Sequence, residues 1–123
     1  MLASGAGQVD TAIEQLARSL ALAEDRDDPA ARAAALNNLA LAYTARGDTT
    51  RARACAEDAL ALAAAQGDRH REAALHNNLA DILHRAGQPD DAMIHLKQAV
   101  AIFADIGVEA GTVQPEIWKL TEW

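Results

Sequence analysis

The chain has few of several residue types, and each shortage narrows what it can be. Its single cysteine, Cys55, cannot close an internal disulfide, so nothing points to an oxidising compartment. Aromatic residues make up only 3% of the sequence and β-branched residues are sparse, while about a quarter of the positions are Ala, the strongest helix former. That balance argues against a sheet and for an all-α chain. The longest Ala/Leu run, Ala59 to Ala65, is far short of the roughly 20 residues that cross a bilayer. Basic residues are also in deficit, 11 Lys and Arg against 18 Asp and Glu, giving a formal net charge of −7. Phosphate backbones need Lys and Arg to neutralise them, so neither nucleic acid nor an anionic membrane surface is an expected partner. The N-terminus, Met1 to Gly7, lacks a basic region followed by an apolar core and does not read as a signal peptide. A cytoplasmic location is expected, and the preference for Arg over Lys with abundant Ala suits a GC-rich bacterial genome.

What is present in quantity is repetition. Asn37-Asn38-Leu39-Ala40 returns 40 residues later as Asn77-Asn78-Leu79-Ala80, Gly47 as Gly87, Ala52 as Ala92, Ala59 as Ala99, Gly67 as Gly107 and Asp28 as Asp68. Gly7 and Ala12 stand the same distance before Gly47 and Ala52, which marks an incomplete leading copy. A fixed period of this size implies a solenoid of stacked helical hairpins.

Start and stop signals divide the chain into five helical stretches. The first spans about Val9 to Glu24, with Val9, Ile13, Leu16 and Leu20 at helical spacing. Asp28-Pro29 opens the second, Asp as N-cap and Pro where its missing N–H costs nothing. Gly47-Asp48 closes that helix at about Arg46 and caps the third, and Gly67-Asp68 repeats the device after Gln66. The fourth runs from about Arg69 to Ala86. The fifth starts at Pro89, with Asp90 and Asp91 at its positive end, and stops at Gly107. Connections of two or three residues make neighbours antiparallel.

The residues resemble the tetratricopeptide repeat family. Its pattern appears as Leu36-x2-Leu39-Ala40-x2-Tyr43, Gly47, Ala52-x3-Ala56 and Ala59, and again as His76-x2-Leu79-Ala80-x2-Leu83, Gly87, Ala92-x3-Leu96 and Ala99. Leu36 and His76 replace the usual Trp, and Ala64 and Ala104 stand where the 34-residue form has Pro, which lengthens the second helix and the period. This longer form is similar to the repeats of kinesin light chains and of many bacterial signalling and regulator proteins. The resemblance implies a right-handed superhelix with one domain over 1–123: an orphan second helix (9–24), repeat one (29–67), repeat two (69–107) and a C-terminal cap (112–123).

The resemblance also implies a protein-interaction scaffold whose concave groove receives a peptide or protein segment. The groove stripe carries Asn37, Asn38, Leu41 and Thr44 in repeat one, and Asn77, Asn78, Asp81, His84 and Arg85 in repeat two. An amide both donates and accepts, which suits it to a peptide backbone; the competing role for Asn38 and Asn78 is to tie one helix to the next. An alternative reading of the chain is an assembly or regulatory fragment of a larger bacterial signalling protein, without a dedicated groove ligand. No catalytic constellation is present, so an enzyme is not expected. The histidines show no pair at i,i+3 or i,i+4, so neither a metal site nor a cofactor is expected. The tail concentrates apolar bulk in Ile117, Trp118, Leu120 and Trp123 and is expected to fold onto the fifth helix as a cap, the alternatives being a docking peptide for another protein or a contact between chains. Val9, Ile13, Leu16 and Leu20 lack a covering helix on their other side, which makes a homodimer through this face an expectation.

Overall fold

The computed structural model describes residues 2–107, with side chains from Gly7 onward. The expected cap residues Ile117, Trp118, Leu120 and Trp123 lie outside the described residues. Within them the chain forms α1 (Leu2–Asp25), α2 (Pro29–Arg46), α3 (Thr49–Gln66), α4 (Arg69–Arg85) and α5 (Pro89–Asp105), with no strand. Each helix packs on the next in sequence, and α2 also touches α4, as in a stack of hairpins. The result is a helical-repeat solenoid.

Local chemistry sets the helix ends. The Asp28, Asp48 and Asp68 carboxylates each accept the amide N–H three residues on, from Ala31, Arg51 and Arg71, at 3.1 Å. Each satisfies one of the first-turn donors that the helix leaves without a partner. At the other end Gly47 adopts φ 87°, a left-handed conformation that a side chain would strain, and its N–H returns to the Thr44 carbonyl at 3.0 Å. Helix α5 begins differently: Gln88 makes no side-chain cap, and Pro89, Asp90 and Asp91 supply the start.

Helix α1 begins at Leu2 rather than Val9. The apolar periodicity begins only at Val9, whereas the helical backbone starts earlier and runs through Gly7. Helices α4 and α5 each stop two residues before a glycine, at Arg85 and Asp105, one residue short of the expected Ala86 and two short of the expected Gly107, because Ala86 and Ile106 form the caps.

The core is built largely from Ala. Ala40, Ala52 and Ala56 are fully buried together with Leu79 and Ile82, so this cluster joins repeat one to repeat two. A second cluster unites Leu36, Ala59, Ala63 and Leu75, with Leu20 of α1 against it. The third, Ala73, Ile102 and Phe103, belongs to the last hairpin. Methyl side chains let helix backbones approach closely, and the larger Leu75, Leu79, Leu83 and Leu96 fill the remaining space, each burial contributing about 2 kcal/mol. Exposed ion pairs such as Arg46–Asp10 at 3.2 Å and Arg69–Asp105 at 3.0 Å span neighbouring helices but add little stability.

Candidate functional site

The expected groove stripe lies on α2 and α4, the first helices of the two hairpins. Its amides do not all point outward. Asn78 Nδ2 donates to Asn37 Oδ1 at 2.8 Å, which ties α4 to α2, while Asn38 is exposed. The bond joins the second Asn of one pair to the first of the other, so the two pairs mesh diagonally rather than standing side by side. Asn77 is partly buried; its Oδ1 has no contact with solvent and no hydrogen-bond partner.

Farther along α2, Leu41 lies one turn beyond Asn37 and is 49% exposed. Thr44 returns its hydroxyl to the Ala40 carbonyl at 2.8 Å, which closes that donor within the helix. On α4, Arg85 Nε donates to Asp81 Oδ2 at 3.1 Å, an exposed i,i+4 pair, and His84 is exposed beside it. The structure therefore brings Asn37 to Asn78 and Asp81 to Arg85, and leaves Asn38, Leu41, His84 and Arg85 at the surface.

One contact does not follow from spacing within a helix. His76 of α4 and His95 of α5 place their Nδ1 atoms 2.9 Å apart. The ring centroids are 5.2 Å apart, which equals the nitrogen separation plus one ring radius on each side. The two nitrogens are thus aimed straight at each other, and one ring carries the shared hydrogen. The corresponding residues 40 positions earlier are Leu36 and Cys55, both in the apolar cluster of repeat one. Two polar replacements at facing core positions of one repeat are the signal that could have revealed the pair.

Burial pushes His76 down to about 4, and the charge of His95 adds to the effect. His95 is also lowered, first by burial; Arg53 acts in the same direction and Glu57 and Asp91 oppose it. Both imidazoles are neutral at physiological pH. Burial, then Asp58 and Asp48, raise Cys55, so its thiol stays protonated and is a poor nucleophile.

The sequence profile described as tetratricopeptide repeat matches residues 31–105, more than half of the chain and both hairpins. The chain belongs to the tetratricopeptide repeat family. Comparison with curated proteins gave no match. Tetratricopeptide repeats generally mediate protein–protein interactions and are a non-catalytic family.

The array's leading helix is only partly covered. Val9, Ile13, Leu16 and Leu20 are all half-buried on α1, and Leu22 is 54% exposed. Among the described residues no helix is long and apolar enough to cross a membrane, and no three His, Cys, Asp or Glu side chains are grouped to hold a metal ion.

Proposed function

We propose that the chain binds a peptide or protein segment along the face formed by α2 and α4. The observation that supports this best is Leu41. Of the large apolar side chains that are exposed among the described residues, Leu22, Leu41 and Ile94, it alone lies on these two helices. An apolar anchor at the centre of a polar surface is the usual energetic core of an interface.

The amides around it supply direction. The Asn37–Asn78 bond uses one hydrogen of Asn78 and one lone pair of Asn37. Asn37's own NH2 and Asn78's carbonyl oxygen are then the groups that a bound backbone would meet, one donor and one acceptor. Asn38, His84 and Arg85 form the rim, with Asp81 held by Arg85. Asn77 contributes through its partly buried side chain at the inner end.

The same chain is proposed to pair with a second copy through Val9, Ile13, Leu16 and Leu20, because α1 keeps part of its apolar stripe uncovered beside Leu22. Its setting is the bacterial cytoplasm, a reading supported by the lone cysteine and the Arg-rich, Ala-rich composition.

Peptides selected from a random display library on the purified chain test the binding face. Leu41→Glu should weaken a selected peptide about tenfold or more, the loss of one buried anchor, while Ile94→Glu on α5 leaves binding intact. The opposite pattern would move the site to the second helices.

A further inference from the structure

His76 on α4 and His95 on α5 present the same ring atom to each other, Nδ1 to Nδ1, across the second hairpin. Each follows or precedes a fully buried leucine, Leu75 and Leu96, so both rings stand on packed helices rather than on loops. One shared hydrogen satisfies the two nitrogens as they stand. Two neutral imidazoles that converge in this way are also the donor set that a divalent first-row metal ion takes.

The spacing of the rings selects the ion. A zinc–imidazole bond of about 2.0–2.1 Å puts each ring centroid about 3.2 Å from the metal, so two rings at the tetrahedral angle stand about 5.2 Å apart. The centroids of His76 and His95 are 5.2 Å apart. Neighbouring positions on a square-planar or octahedral ion would need about 4.5 Å, and opposite positions on a linear one about 6.4 Å. The nitrogens, 2.9 Å apart, have only to open to about 3.3 Å and tip toward one side. A turn of roughly 35° of each ring about its Cβ–Cγ bond does this, because histidine χ2 is a broad torsion and the centroid lies on the axis of the turn.

We propose that His76 and His95 bind one zinc ion through their Nδ1 atoms and that the ion clamps α4 to α5. The ring that carries its hydrogen on Nδ1 gives it up to solvent and takes one on Nε2, so both rings end as neutral ligands and no net proton is released. Burial already keeps both imidazoles neutral at physiological pH, which removes protonation as a competitor. Glu57 and Asp91 bring negative charge to His95 and Arg53 brings positive, but the Arg53 guanidinium is engaged by Glu57 at 3.3 Å and by Gln88 at 3.4 Å. The surroundings therefore favour a cation. No third His, Cys, Asp or Glu is grouped with the pair among the described residues, so water completes the tetrahedron. Such a site exchanges its ion readily, unlike a closed four-ligand site.

Zinc chloride titrated into the chelator-stripped chain at neutral pH, followed by imidazole nitrogen NMR, tests the site without any substitution. At saturation the Nδ1 resonances of His76 and His95 should both move to the metal-bound range and both Nε2 atoms should carry hydrogen, while the exposed His70 stays unchanged. Calorimetry should give one ion per chain. His76→Leu and His95→Leu should each weaken binding by more than the roughly 10–100-fold that loss of an outer-sphere partner costs, and His70→Gln should leave it as it was. Zinc should raise the wild-type Tm and leave that of His76→Leu in place. Unmoved Nδ1 resonances overturn the proposal. Equal binding by wild type and His76→Leu does the same, since it means an adventitious surface ion only. Zinc uptake that tracks dimer formation would put the ion between two copies and contradicts it as well.

Discussion

Acid should loosen the second hairpin, through His76 and His95. Burial holds His76 near 4 in the folded chain against an ordinary imidazole value of 6.5, and His95 is lowered too. The unfolded chain therefore takes up protons first as the pH falls. The stabilisation is complete above about pH 6.5 and is lost progressively down to about pH 4. Unscreened, the His76 shift corresponds to about 3 kcal/mol; both rings are only half-buried, and solvent screening reduces the effect to about 1–2 kcal/mol. The two rings titrate as a unit. A first proton preserves the N–H···N bond, whereas a second sets two donors face to face, so the folded chain resists the second proton and the loss is steepest between about pH 6.5 and about pH 4, levelling off once the folded rings are protonated.

The double substitution His76→Leu with His95→Cys transfers repeat one's own solution, Leu36 and Cys55, to repeat two. Thermal melts followed by helical circular dichroism at about pH 7.5 and about pH 4.5 should show the wild type losing about 3–10 °C more than this variant. Titration of the carboxylates is common to both chains and cancels in the comparison. Equal losses in the two proteins would refute the reasoning, as would a wild type that is the less sensitive of the two.

Three further outcomes follow from the packing. Leu79→Ala opens a cavity in the cluster that joins the repeats and should cost about 3 kcal/mol in denaturant unfolding. Asp48→Ala removes the cap on the Arg51 amide and should cost about 1 kcal/mol by the same measurement, with Asp48→Asn recovering most of it. Light scattering over a concentration series should show the wild type approaching twice the mass of one chain and Ile13→Glu remaining at that of one; a constant single-chain mass for both would remove α1 as a self-association face.

The parts of this structure that were legible in the sequence are those that local chemistry decides. Gly47-Asp48 and Gly67-Asp68 end one helix and cap the next through atoms within a few residues of each other, so the boundaries at Arg46 and Gln66 can be read directly. The Ala-rich stripes have the period of a helix face and are buried as that period implies. Less was legible where the outcome depends on how two helices slide past each other. A repeat of 40 suggests that Asn37 stands level with Asn77, whereas packing pairs it with Asn78. That one-residue slip turns part of the expected groove ladder into a bond between repeats. The histidines escaped for a related reason: His76 and His95 are 19 residues apart and meet only when α5 folds back on α4, which no spacing within a single helix reports. The early start of α1 was hidden because apolar periodicity records where a helix has a neighbour, not where its backbone begins.

Backbone amide shift mapping with a display-selected peptide tests most directly the proposed meeting of this tetratricopeptide repeat chain and its partner on the α2 and α4 face. The largest perturbations should gather at Asn37, Asn38, Leu41, Asn78, His84 and Arg85, with α3 and α5 little changed. Perturbations concentrated on α3, α5 or α1, with Leu41 and the Asn37–Asn78 pair silent, would contradict it.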